Sequence, residues 1–296
     1  MEVQQVQPQD RPAWFDARLT SALRALCAQR GNRHVLLYAT AFLQKPQLAS
    51  FQTSLTFEEI NGFMSCMYGM DCSRGLTLIL HTPGGQTNAA ETVVQYLHSK
   101  YKNIEVVVPA FAMSAGTMIG LASERLIMGR QSQIGPIDPQ MPISGKFVSA
   151  RAIVDQFSKA KAEITGDVTL AHAWAPVLAS LGPALLVEAQ NALDYGERMV
   201  AQWAAARMFA GRPDATEVAA KVANFFNDAG THKSHGRRIA RDEAKAQGVV
   251  IEDLEDSQPL QESVLTIYHL ATLMFEQTAV CKMLWSDHGQ KWIKNA

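Results

Sequence analysis

Neither sign of charge prevails in this chain: 27 lysines and arginines stand against 28 aspartates and glutamates, a formal net charge of −1. No basic excess gathers nucleic acid or an anionic membrane surface, so neither partner is expected. Cysteine is scarce, and Cys27, Cys66, Cys72 and Cys281 show no CxxC spacing. The polar start MEVQQVQPQDRPAW has no apolar core, so no secretory leader is expected. The thiols are therefore read as reduced groups of a cytoplasmic protein. Neither a P-loop nor a GxGxxG turn occurs, which removes a nucleotide cofactor and ATP-driven unfolding by the chain itself. No His, Cys and carboxylate set has metal-ligand spacing such as HExxH, so neither metal nor other cofactor is expected. The uncharged stretch VVVPAFAMSAGTMIGLA (106–122) falls short of the roughly 20 residues of a helical membrane span. Pro109 splits it into a β-branched strand, a break and a helix opening at Ser114, so no membrane anchor is expected.

What is present is apolar residue in quantity, 47% of 296 residues, enough to bury a sizeable core. RPAWFDARLTSALRALCAQRG reads as an amphipathic helix closed by Gly31. HVLLYAT reads as a strand, and TFEEINGFMSCMY as a helix with Thr56 and Glu59 placed as a capping box. LTLILHT (76–82) is a continuous apolar strand of the kind found in a parallel sheet. A helix (88–101), a strand (104–110), the helix from Ser114 and the strand RLIMG (125–129) follow. This β-α-β-α-β order predicts an α/β core over about 34–150 with right-handed crossovers. Residues 150–296 read as a helical C-terminal part, ending in one long helix over 257–284. Residues 1–10 read as disordered, and 11–296 as one domain.

Two strand-to-helix turns carry the chemistry. In HTPGG (81–85) the glycines let backbone N–H groups approach a ligand with no Cβ in the way. In AMSAG (112–116) a serine opens a helix beside free N–H groups, as in a nucleophile elbow, although its flanking residues are alanines and one glycine rather than G-x-S-x-G. Together they could set a nucleophile beside an oxyanion hole.

LHTPGG, then VPAFAMSAGTMIGLAS, then SQIGPIDPQ resembles the ClpP/crotonase superfamily. Within it the chain is most similar to the serine dehydrogenase proteinase (SDH proteinase) family, relatives of the signal peptide peptidases. HKSHGRRIARDEAKAQGVVIEDL (232–254) resembles that family's C-terminal region. The resemblance implies a spiral of β-α units and a serine peptidase acting on peptides or unfolded protein. It implies Ser114 as nucleophile, the N–H groups of Gly85 and Ala115 as oxyanion hole with Gly84 shaping the turn, and a homo-oligomer.

A serine hydroxyl needs a base. A ClpP-like histidine about 25 residues after the serine is missing, and Asp138 stands in that region. The order of the SDH proteinases, Ser-Asp-His, maps onto Ser114, Asp138 and His235, with His232 as second choice. A Ser-Lys dyad like that of signal peptide peptidases would draw on Lys146, Lys159 or Lys161. Asp138 between prolines also fits a plain turn, His232 and His235 a solvated stretch, and His81 core packing. Two other functions stay open: a crotonase-like acyl-CoA enzyme and a non-catalytic scaffold of the same fold.

Overall fold

The computed structural model describes residues 2–143, 145–182 and 184–296. The strands, in chain order, are β1 His34–Thr40, β2 Leu76–His81, β3 Ile104–Val108, β4 Phe111–Ala112, β5 Arg125–Met128, β6 Gln133–Ile134, β7 Gln140–Ile143, β8 Lys146–Ser149, β9 Ile239–Ala240, β10 Ile251–Asp253, β11 Val280–Ser286 and β12 Lys291–Asn295. The helices are α1 Arg11–Gln29, α2 Ser50–Thr53, α3 Glu59–Met67, α4 Thr87–Lys100, α5 Ala115–Leu121, α6 Ala150–Gly166, α7 Ala171–Ala179, α8 Leu185–Ala206, α9 Ala215–Asn227, α10 Ala229–His232, α11 Arg241–Ala246 and α12 Gln258–Gln277. The chain forms two compact units, Met1–Ile134 with Ile239–Ala296, and Gly135–Arg238. The sequence reading put one domain over 11–296.

The first unit is a mixed α/β layer structure. Its sheet has the order β10-β5-β3-β2-β1-β11-β12. The strands from β10 to β1 run parallel, and β11 and β12 are antiparallel additions. HVLLYAT, LTLILH and IEVVV are buried at every position, as strands covered on both faces must be. Val35, Leu37, Ile79, Val107 and Ile127 pack on one face against Leu19, Leu23 and Leu26 of α1 and Val264, Ile267 and Phe275 of α12. Successive side chains alternate between faces. The facing residues of the other side meet α4 and α5, where Val106 lies with Val94, Leu97 and Ile119.

One acid is buried in this sheet. Glu105 is 1% exposed and accepts hydrogen bonds from Arg30 at 2.7 Å, Arg125 at 2.8 Å and Thr77 at 2.8 Å. Burial raises its carboxyl pKa, but the bonds from Arg30, Arg125 and Thr77 outweigh that and bring it down to about 2.

The ends of the chain depart from the sequence reading. The helix expected to run to residue 284 stops at Gln277, and Val280–Ser286 pairs with β1. All seven residues of β11 are buried there, and its one charge, Lys282, is met by the Glu59 carboxylate at 2.7 Å. An open strand edge beside a core-forming segment overrides helical spacing. Residues 2–10, expected to be disordered, hold two short 3-10 turns, because Val3 is buried in the α1–α12 core.

The second unit is helical with one hairpin. β7 and β8 pair, and Met141, Ile143 and Val148 pack around Ala150 and Ile153 of α6 and Ala189 and Leu193 of α8. No described helix is long and apolar enough to cross a membrane.

Candidate active site

The two glycine- and serine-bearing turns lie side by side in the first unit. β2 runs into Thr82, which forms a parallel bridge with Ala112 just beyond β3. Thr82 N–H donates to Phe111 O at 3.0 Å, and Met113 N–H donates to Thr82 O at 3.0 Å. The chain then turns sharply into α5 at Ser114, which has φ 51° and ψ −116°. Few non-glycine residues adopt positive φ. Holding one there costs on the order of 1–3 kcal/mol, a strain typical of sites where a side chain must be presented. Two neighbouring bonds hold the turn: Gly116 N–H to Met113 O at 2.8 Å, and Met118 N–H to Ser114 O at 3.0 Å. Ser114 is half-buried, and its hydroxyl makes no hydrogen bond among the described residues.

Glycine is required at the facing turn. A Cβ on Gly84 (φ 100°) would lie 2.6 Å from the Ser114 Cβ and 3.1 Å from Ala115 N. A Cβ on Gly85 would lie 2.1 Å from Leu55 O. Leu55 clasps this turn, donating to Gly84 O at 2.7 Å and accepting from Gln86 N–H at 3.0 Å. Gly84 N–H is turned inward to Thr82 Oγ1 at 3.2 Å. The N–H groups of Gly85 and Ala115 have no acceptor among the described residues. An open cavity of about 460 Å³ adjoins the turn, lined by Phe51, Gln52, Phe57, Gln86, Lys282 and Lys294 among others.

His81 points away from this chemistry. Its ring packs with Phe42 and Tyr268 at 5.0 and 4.9 Å. Burial pushes its pKa down to about 4, with the Phe111 backbone acting weakly the other way. It is a neutral core histidine.

The second unit brings Asp138 and His235 together. Asp138 is 1% exposed, and its Oδ1 accepts from His235 Nδ1–H at 2.7 Å. Gln140 Nε2 donates to its Oδ2 at 2.8 Å. With Nδ1 so engaged, the Nε2 of His235 carries the free lone pair, the tautomer a general base needs. His232 is used up structurally: Nε2 is 2.6 Å from Phe225 O, and Arg237 donates to Nδ1 at 2.8 Å. Lys146 and Lys161 are exposed, and Lys159 is exposed and pairs with Glu163 at 3.8 Å.

Sequence reasoning missed three supporting groups: the Leu55 backbone, Gln140, and the contact that forces glycine at 116, where a Cβ would meet Thr82 Cγ2 at 2.6 Å. Gln140, two residues from Asp138, was open to notice. Leu55 was not, since a backbone contact leaves no mark on residue type.

Residues 53–175 match the model of the ClpP-like SDH-type serine proteinase family. The chain is 31% identical over 137 residues to an uncharacterised protein of Methanocaldococcus jannaschii, covering 46% of this chain and 44% of that one. A second uncharacterised protein of that organism is 30% identical over 152 residues, 50% and 49% of the two chains. The chain thus spans about half the length of the curated relatives it matches. Among solved structures, the 1510-N membrane-bound stomatin-specific protease overlays with a TM-score of 0.41 at 18% identity, covering 71% of this chain and 79% of that one. ClpP1 from Listeria monocytogenes gives 0.40 at 13%, covering 80% and 99%.

Proposed function

We propose, from the match to ClpP-like SDH-type serine proteinases, that the protein is a serine peptidase hydrolysing peptide bonds in peptides or unfolded protein. The observation that carries the reading is Ser114, held at positive φ at a strand-to-helix turn and packed against Gly84. In this reading the Ser114 hydroxyl attacks the scissile carbonyl, and His235 Nε2 takes its proton. Asp138 keeps the His235 tautomer and stabilises the imidazolium. The N–H groups of Gly85 and Ala115 receive the oxyanion, each such donor being worth roughly 3–4 kcal/mol to a tetrahedral transition state. His235 then returns the proton to the leaving amine, and water hydrolyses the acyl-enzyme by the same steps. The cavity beside Gln86, with Phe51 and Phe57 at its mouth, offers a seat for a substrate side chain. Self-association belongs to the same proposal and is read by light scattering.

A fluorophosphonate probe followed by peptide mapping tests the assignment. A covalent adduct on Ser114, with hydrolysis of fluorogenic peptides that vanishes in Ser114→Ala, is the expected result. An unlabelled wild-type protein across pH 6–9, or peptidase activity that survives Ser114→Ala, would overturn it.

A further inference from the structure

A second cluster of titratable groups lies in the first unit, at the start of β1. The His34 Nδ1 is 3.4 Å from Asp287 Oδ2, and the His288 Nε2 is 3.7 Å from the same oxygen. One ligand atom from each residue falls within 4.8 Å of the others. Both separations are long for a charge-assisted hydrogen bond, which spans about 2.7–2.9 Å. They fit the edges of a coordination tetrahedron instead. Metal–ligand bonds of about 2.0–2.1 Å to imidazole and carboxylate set neighbouring ligand atoms about 3.4 Å apart.

The surroundings favour that use. Asp287 Oδ1 accepts Val35 N–H at 3.2 Å, which fixes the carboxylate, and the Cys27 thiol also lies against it. Asp287 N–H donates to Val35 O at 3.0 Å, so the residue is anchored at both ends. His34 is fully buried, and its ring meets the His288 ring edge-on with centroids 4.9 Å apart, so the two imidazoles converge on the same carboxylate. His288 is 38% exposed at its side chain and gives an ion a way in. Arg74 reaches the same region, donating to Cys27 Sγ at 3.4 Å, and its charge keeps the affinity moderate.

The geometry points to a binding site for one divalent transition ion of the zinc class, held by His34 Nδ1, Asp287 Oδ2 and His288 Nε2, with water completing the tetrahedron. The ligands come from the first residue of β1 and from the turn between β11 and β12. A bound ion would staple the terminal hairpin to the sheet, at the end of β1 opposite the one beside His81. Its role is structural. Motif spacing carries no trace of it, because His34 and Asp287 are 253 positions apart.

Zinc chloride titrated calorimetrically into the EDTA-treated full chain is the test, with cobalt chloride as an optical reporter of tetrahedral geometry. One zinc per chain at roughly micromolar affinity is expected, with a rise in Tm. His288→Ala, which removes a half-exposed side chain, should weaken binding roughly 100-fold and abolish the Tm rise. His172→Ala, an exposed histidine of the other unit, should change neither. No saturable binding below about 1 mM zinc, or equal binding by the wild type and His288→Ala, would overturn the assignment. Circular dichroism of the metal-free His288→Ala protein shows whether its fold is intact.

Discussion

Glu105→Gln removes the buried acid that Arg30, Arg33 and Arg125 share, and leaves Glu252, 3.4 Å from both Arg30 and Arg125, as the more exposed counter-charge. Its side chain is 1% exposed, so solvent does little to screen these pairs. The fall of the carboxyl pKa from 4.5 to about 2 converts at roughly 1.4 kcal/mol per pH unit into ~3 kcal/mol of folding stability. Arg30 and Arg125 keep Glu252 as a partner, so the loss stays near that figure. Because the folded pKa lies below the unfolded one, this stabilisation is complete well above pH 4.5. It is lost as the pH falls from there toward 2. The two units need not unfold together, so native-state hydrogen exchange of the Ile104–Val108 amides, corrected for intrinsic rates, is the better readout. The wild type should protect these amides much more strongly than the variant at pH 7, and the gap should narrow between pH 4.5 and 2. Equal protection at pH 7, or a gap independent of pH, would refute the reasoning.

Two further outcomes bear on the proposed peptidase. Asp138→Asn should let His235 take the wrong tautomer while Gln140 still has a partner, so kcat falls about ten-thousandfold with KM little changed. Steady-state peptide hydrolysis reads it, and an unaltered kcat would exclude Asp138 from the mechanism. Gly84→Ala forces a Cβ to 2.6 Å from the Ser114 Cβ at a φ of 100°, and an ångström of displacement at the nucleophile should cost about 100-fold in kcat/KM. Gly211→Ala, also at positive φ but with nothing within 4 Å, should lose about 1–2 kcal/mol of stability and no activity. Similar kinetic losses in both alanine variants would mean that packing against Ser114 is not what matters.

The parallel core was legible because its strands are covered on both faces and show continuous apolar runs: LTLILH and IEVVV stand out as β2 and β3. Both turns were legible too, since a glycine pair after proline and a serine among small residues are local marks of backbone demand. β11 was hidden. VCKMLWS carries a lysine, and only the structure shows Glu59, 223 positions away, neutralising it. The pairing of Asp138 with His235 lay beyond local pattern for the same reason: 97 positions separate them. Each stands in a stretch that also fits a plain turn or a solvated loop. The boundary of the second unit at Gly135 falls inside SQIGPIDPQ, with no composition change sharp enough to mark it.

β1 takes one partner from residues 76–81 and the other from 280–286. On a ribosome the first of these is available early. The second is made roughly 200 residues later, or roughly 10–40 s at ordinary elongation rates. Through that interval β1 presents an open hydrophobic edge, the template on which chains join to one another. In the nascent polypeptide that edge stays uncovered until β11 docks on it. A chain cut short before Val280 would keep that sticky edge for good.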